Sequence, residues 1–129
     1  MTLRPFEPET PVEQRILDAR TGALSGDTLM REIAASNLYI PSRTEVRKDG
    51  SGFQPIMLDQ DGVPFVAVYT ALSRAPRDGA PYLLQAPGKE FFLRLPPGYG
   101  VIVNPGYDAQ LLVPPQGAAM LKQDVKAAP

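Results

Sequence analysis

A chain of 129 residues with a formal net charge of −1 has the size of one domain and lacks the strong positive field that nucleic-acid binding needs. It contains no cysteine and no histidine, which excludes disulfides, thiolate or imidazole metal ligands, and the serine–histidine and cysteine–histidine catalytic pairs. Catalysis would depend on carboxylates, lysine, tyrosine or an all-oxygen metal site, and we expect neither a metal nor a cofactor.

The chain shows no signal for a membrane. It has no run of about 18 apolar residues, and the N-terminal MTLRPFEPETP has no apolar signal core. We therefore expect a single cytoplasmic domain over residues 1–129 with no membrane partner. Its polar ends, about 1–9 and 126–129, are expected to be mobile.

Two helices are predicted first. Thr10 can cap a helix over Pro11–Arg20, since Pro11 suits the first helical position and Glu13 completes a capping box. The apolar stripe of a second helix covers about Gly26–Ser36.

Strands follow these helices. Asn37–Ile40 is a short one, and Pro55–Leu58 and Val63–Tyr69 flank a turn at Asp59–Gly62, where Asp-Gly indicates a hairpin. Val63–Tyr69 is almost continuously apolar, which predicts a central strand that is covered on both faces.

The rest of the chain alternates in type. We predict strands at Tyr82–Gln85, Gly100–Val103 and Gln110–Val113 and helices at Gly88–Leu95 and Gln116–Val125. This order predicts an α+β fold with two N-terminal helices first and a mixed β-sheet of about five or six strands covered by helices. The strand–helix–strand segment 63–103 would place its two strands parallel.

Asn-Pro-Gly at residues 104–106 specifies a type II turn, since proline fixes φ and glycine supplies a positive φ. Architecture alone explains such a turn. A functional interpretation is that a rigid loop presents aromatic and amide groups to a partner. The candidate partner-binding residues are Tyr99, Asn104, Pro105, Gly106 and Tyr107.

Several segments together resemble the N-terminal domain of the SseB family, named for enhanced serine sensitivity in bacteria. They are Leu38–Pro41, Val63–Tyr69 with the following Thr70–Arg74, Leu95–Gly98 and Gly100–Gly106. The resemblance runs from about Pro11 to Lys122, and Tyr69-Thr70-Ala71 stands where the family typically has Phe-Thr-Ser. It implies a bacterial cytoplasmic α+β domain and carries over no catalytic residue.

An alternative class is enzymatic. Asp59 and Asp61 follow an apolar strand as Asp-x-Asp-Gly, which is similar to the first motif of haloacid-dehalogenase-type phosphatases, where two aspartates hold Mg²⁺. The further paired acids of such a site are missing after Gly62, and a hairpin explains the same residues.

The sequence therefore favours a non-catalytic interaction module that binds a protein partner or itself. The alternative is a small carboxylate and Mg²⁺-dependent enzyme, such as a phosphatase that uses Asp59 and Asp61. A role in a secretion or toxin–immunity cassette is a third alternative, which only neighbouring genes would test.

Overall fold

The computed structural model describes residues 3–76 and 78–127, and within them the chain forms four helices, six strands and one 3₁₀ turn. The helices are α1 (Pro11–Arg20), α2 (Gly26–Ala34), α3 (Gly88–Arg94) and α4 (Pro115–Ala127), and the 3₁₀ turn is Leu72–Arg74. The strands are β1 (Asn37–Ser42), β2 (Met57–Gln60), β3 (Val63–Val68), β4 (Tyr82–Pro87), β5 (Gly100–Val103) and β6 (Leu111–Val113).

Helix α1 has the bounds predicted from its cap. Thr10 adopts an extended backbone, and its hydroxyl oxygen accepts from the N–H of Glu13 at 3.4 Å. The Glu13 carboxylate does not bond the Thr10 N–H as a capping box requires; it accepts from the N–H of Glu9 at 2.8 Å and otherwise points inward. The inward direction matters for the candidate site described below.

Four strands form one sheet in the order β2-β3-β5-β6. Strands β3 and β5 are parallel, as predicted for segment 63–103, and the two outer pairs are antiparallel. Residues 65–68 of β3 and all of β5 are buried, which fits a central pair covered on both faces.

The two remaining strands form a separate ribbon, in which β1 and β4 pair antiparallel. The α+β class, the leading helix pair and the approximate strand number are confirmed, but the six strands divide into two sheets rather than one. Among the described residues, β1 meets β3 through an isolated bridge between Tyr39 and Tyr69, just beyond the end of β3. No ladder forms there, so the ribbon stays separate from the four-stranded sheet.

The β2–β3 connection is tighter than the predicted four-residue turn. Gln60 pairs with Val63, so only Asp61 and Gly62 form the loop, with φ of 53° and 85°. Positive φ at both central residues is the signature of a type I′ hairpin turn.

Gly88, at the junction of β4 and α3, leaves no room for a side chain. A Cβ added at Gly88 would lie 2.3 Å from the carbonyl oxygen of Ile33 and 2.9 Å from the Cα of Ala34. The missing side chain therefore lets the start of α3 approach the end of α2. Helix α3 also packs against α4, which covers β5 and β6.

The segment before α1 packs on the domain. Phe6 is buried, the Arg4 N–H donates to the Gly106 carbonyl at 2.9 Å, and the Asp108 N–H donates to the Arg4 carbonyl at 2.9 Å. At the other end, α4 continues to Ala127. The expected mobile ends also include residues 1–2 and 128–129, which lie outside the described residues.

Within residues 3–76 and 78–127, none of the helices has both the length and the apolar character that crossing a bilayer demands.

Candidate interaction surface

The Asn-Pro-Gly turn has the predicted type II geometry. Gly106 has a φ of 89°, and the Tyr107 N–H donates to the Asn104 carbonyl at 3.3 Å, which closes the four-residue turn. Asn104 itself has a φ of 55°, a left-handed conformation that asparagine tolerates better than most residues. The turn thus begins with a second unusual backbone position in addition to the glycine.

The Asn104 side chain faces the interior and is fully buried. Its Oδ1 accepts from the Thr70 N–H at 3.1 Å, and its Nδ2 donates to the Thr70 Oγ1 at 2.8 Å. The Asn104 N–H also donates to the Val68 carbonyl at 2.8 Å. The amide therefore ties the turn to the end of β3 and is not presented to a partner.

Thr70 links Asn104 to Glu13 through its hydroxyl group. Glu13 Oε2 accepts a hydrogen bond from the Thr70 hydroxyl. It accepts a second one from Arg74 Nε at 2.7 Å. Arg74 Nη2 and the Glu9 N–H each donate to Oε1 at 2.8 Å. Each carboxylate oxygen accepts two hydrogen bonds, so the chain itself occupies the acceptor sites that a metal or substrate would need.

Arg74 is held between two aromatic rings. Its guanidinium carbon lies 4.2 Å from the ring centre of Phe6 and 4.8 Å from that of Tyr107. The Nη2 group also donates to the Glu7 carbonyl and forms an ion pair with Glu9 at 3.4 Å. These contacts join the N-terminal segment, α1, the 3₁₀ turn and the Asn-Pro-Gly turn around one buried cation.

The ion pair keeps both partners charged. Burial by itself raises the pKa of Glu13, but hydrogen bonds from Arg74, Thr70 and the Glu9 N–H outweigh it and leave that pKa below its ordinary value. The bidentate hydrogen bond to Glu13 raises the pKa of Arg74 against the opposing effect of burial. A carboxylate with a lowered pKa and no free lone pair is a poor general base.

Acid is expected to weaken the fold through Glu13. Its pKa lies below the unfolded value of about 4.3, so its contribution is complete above that pH and is lost as pH falls through the lowered pKa. The free energy of unfolding, measured by urea titration at several pH values, should fall more steeply below about pH 4.3 in the wild type than in Glu13→Gln. The difference should reach at most about 1.4 kcal/mol per pH unit. Parallel profiles for the two proteins would contradict this assignment.

Tyr69 lies beside this network and is also buried. Burial, and to a smaller extent Tyr107, raises the pKa of Tyr69 to about 12, against a lowering effect of Arg4. Its phenol therefore stays protonated at neutral pH and is not poised to accept a proton.

Tyr99 lies at the opposite end of β5 from the turn. The strand between Tyr99 and Asn104 rises about 3.3 Å per residue, so the structure does not bring these two candidate residues together. Pro105 is half-buried, Tyr107 is buried in the Arg74 network, and Gly106 is exposed. Of the candidate residues, Tyr99 borders a cavity.

That cavity is an apolar cleft of about 430 Å³ between α3, the β1–β4 ribbon and the four-stranded sheet. We call it the Tyr99 cleft. Val66 and Phe91 are buried in its walls, whereas Phe53 and Tyr99 remain half-exposed. The apolar side chains that line it are Phe53, Val66, Leu84, Phe91, Leu95 and Tyr99.

Two charged residues of α3, Glu90 and Arg94, also line the cleft, and both are exposed. Among the described residues Arg94 has neither an ion pair nor a side-chain hydrogen bond. The cleft therefore combines apolar walls with charged groups that are available to a ligand, which is the usual composition of a binding site.

The two candidate magnesium ligands belong to no larger cluster of acidic side chains among the described residues. Asp59 lies in β2 and Asp61 in the hairpin turn, and both are exposed. In the part of the chain that the structure describes, no three acidic side chains lie close enough to hold a metal ion.

Sequence reasoning missed the Arg74 network and the Tyr99 cleft. The capping pattern predicts only a helix-cap role for Glu13, and nothing in the spacing indicates that its carboxylate bonds side chains 57 and 61 residues further along. One signal was present: Thr70 and Arg74 both belong to the segment on which the family resemblance depends.

A family model described as the SseB protein N-terminal domain matches residues 13–120, which is most of the chain. The match begins at Glu13, so it includes the segments that line the Tyr99 cleft and the part of the Arg74 network from Glu13 onward, but not the N-terminal segment with Phe6 and Glu9. No curated protein and no solved structure matches the chain significantly.

Proposed function

We propose that this chain, which belongs to the SseB protein N-terminal domain family, is a non-catalytic protein-interaction module that contacts its partner at the Tyr99 cleft. The cleft itself is the observation that carries the proposal. Its apolar walls and free Arg94 are left uncovered by the described residues. The proposed setting is the bacterial cytoplasm, as the family resemblance implies.

The size of the cleft supports this proposal. A volume of about 430 Å³ lies within the range of ligand pockets and holds one or two large apolar side chains. Aromatic anchors such as Tyr99 and Phe53 contribute much of the binding energy at protein interfaces, because they bury a large area with few rotatable bonds.

The distribution of titratable groups also supports a non-catalytic role. Glu13 is a fully buried carboxylate whose oxygens already accept hydrogen bonds from Thr70 and Arg74. The cleft contains one carboxylate, Glu90, which is exposed, and the chain has no histidine or cysteine to act beside it. General acid–base catalysis normally needs groups whose pKa values are tuned by a shared, partly buried site.

Quantitative affinity capture from a bacterial lysate tests the proposal. The wild-type chain, Phe53→Ser and Tyr99→Ser would serve as baits, with Leu112→Ser as the matched control, because Leu112 is exposed on β6 away from the cleft. We expect a specific partner whose yield falls at least about tenfold with either cleft variant and is unchanged by the control. Absence of a partner, or equal loss with Leu112→Ser, would contradict the proposal.

The enzymatic alternative has its own test. A phosphatase screen with Mg²⁺ would compare the wild type with Asp59→Asn, and we expect no turnover by either protein. Turnover by the wild type that disappears in Asp59→Asn would replace the interaction module with a carboxylate-dependent enzyme.

A further inference from the structure

Strand β4 has one free edge. Strand β1 pairs with it along residues 82–87, and across residues 3–76 and 78–127 no strand pairs with its other side. An unpaired strand edge exposes backbone donors and acceptors to any strand that can match them.

The register of the ribbon shows which backbone groups point outward. Tyr39 and Tyr69 exchange two backbone hydrogen bonds of 2.8 Å, so the peptide groups of Tyr39 point away from β4. Gln85, which lies opposite Tyr39, is therefore in a non-hydrogen-bonded pair and directs its own N–H and C=O outward. The alternation of the strand gives Leu83 the same outward direction, whereas the peptide groups of Leu84 face β1.

Prolines limit this edge at both ends. Pro81 and Pro87 occupy the next positions of the outward-facing series, and proline has no N–H to offer there. The outward donors are thus the N–H groups of Leu83 and Gln85, placed symmetrically on either side of Leu84. Reversing the direction of the strand about Leu84 leaves this pattern unchanged.

We propose that β4 pairs antiparallel with β4 of a second copy of this chain, across a two-fold axis at Leu84. Leu83 of each copy lies opposite Gln85 of the other, which forms four backbone hydrogen bonds. Pro81 lies opposite Pro87, where neither residue has an N–H, so the ladder ends there without leaving a donor unpaired. A two-fold axis requires such a self-complementary surface.

Charge does not oppose the same pairing. Residues 82–87 carry no charge, so two copies bring no like charges together along the ladder. Exposed Asp78 precedes β4 and exposed Lys89 follows it, and neither forms an ion pair within the described residues. An antiparallel pair places the Lys89 end of each copy beside the Asp78 end of the other, but exposed Glu90 adjoins Lys89 there, so the flanking charges largely cancel.

The pairing would also link the two clefts. Leu84 lines the Tyr99 cleft, and directly opposed residues of an antiparallel pair project from the same face. Leu84 of the two copies would meet at the axis, so the two clefts become neighbours on one four-stranded ribbon. This inference rests on the proposed interaction function and adds the identity of one partner.

Proline substitution gives the first test, with the full chain in analytical ultracentrifugation. The wild type should show a reversible monomer–dimer equilibrium, and Leu83→Pro and Gln85→Pro should weaken the dimer at least about tenfold. Both prolines remove an outward N–H that β1 does not use, so far-ultraviolet circular dichroism should stay unchanged. Met120→Glu, at an exposed position of α4, is the control that should dimerise normally.

Cysteine pairing gives a second test that does not depend on proline. The chain has no cysteine, so each introduced thiol is unique. Residues directly opposed in a non-hydrogen-bonded pair have Cα atoms about 4.5 Å apart, a distance that a disulfide spans. Leu84→Cys should therefore form a covalent dimer on mild oxidation. Tyr82→Cys should do so only when mixed with Ala86→Cys.

The pairing would be overturned by a monomer at all concentrations up to about 1 mM, or by a dimer that both proline variants leave intact. Disulfides between residues that are not opposed in this register would also overturn it. None of these outcomes affects the capture experiment with Phe53→Ser and Tyr99→Ser. Conversely, a β4 dimer in a protein that captures no partner would leave the pairing intact and remove the Tyr99 cleft from the proposed function.

Discussion

Replacing Arg74 with methionine is expected to lower the free energy of unfolding by about 3–5 kcal/mol. Arg74 is 5% exposed and Glu13 is 0% exposed, so the substitution leaves a buried carboxylate without its cation. Thr70 and the Glu9 N–H remain as donors, but neither supplies a compensating charge. Urea denaturation followed by circular dichroism measures the change.

Two further variants make this result specific. Arg94→Met removes an exposed arginine from the same chain and should leave the free energy of unfolding nearly unchanged. Combining Arg74→Met with Glu13→Gln should recover part of the loss, because no unpaired charge is then buried. If Arg74→Met were as stable as Arg94→Met, the buried pair would not organise the N-terminal segment and the turn.

Replacing Asn104 with alanine is expected to cost about 2–4 kcal/mol. The buried Thr70 N–H loses its acceptor, and alanine must adopt the φ of 55° without the local help of an amide side chain. Asn104→Gly removes the same hydrogen bonds but accepts this φ freely, so its cost should be smaller by about 1 kcal/mol. Thermal and urea unfolding of the two variants would separate the two effects.

Asp61→Ala is the matched control for backbone strain. Asp61 has a φ of 53°, is exposed, and makes no side-chain hydrogen bond within the described residues. The excess cost of Asn104→Ala over Asp61→Ala is therefore the contribution of the buried amide. Equal costs for the two variants would show that the Thr70 contacts add nothing to stability.

Local signals in the sequence predicted most of the elements. Thr10 and Pro11 gave the correct start of α1, and Asp61-Gly62 gave the hairpin, because caps and turns depend on residues within one turn of chain. The continuous apolar run of β3 and the helix that follows it indicated correctly that β3 and β5 are parallel.

Long-range arrangements were not predictable in the same way. Strand β1 meets the end of β3 through an isolated bridge from Tyr39 to Tyr69 instead of a ladder, so the strands form two sheets, and no pattern within either strand indicates this. The Tyr99 cleft is built from α3, two strands of different sheets and the loop that carries Phe53. Hydrophobic periodicity shows which side chains are buried but not where their packing leaves a gap.

The Asn-Pro-Gly turn illustrates the difference. Its type II geometry followed from three residue types, but the direction of the Asn104 side chain depends on Thr70, 34 residues earlier. The fully buried amide fits the architectural interpretation of the turn. Tyr99, at the other end of β5, is the candidate residue that borders the cleft.

Our central claim is that this domain makes contacts through the β4 edge and the Tyr99 cleft rather than through the turn at residues 104–108. Amide hydrogen exchange of the wild-type chain at low and high concentration tests it most directly. We predict that the Leu83 and Gln85 amides exchange rapidly when dilute and become protected when concentrated, whereas the Leu84 amide, bonded to β1, is protected at both concentrations. Unchanged exchange at Leu83 and Gln85, with concentration-dependent protection in residues 104–108 instead, would contradict the claim.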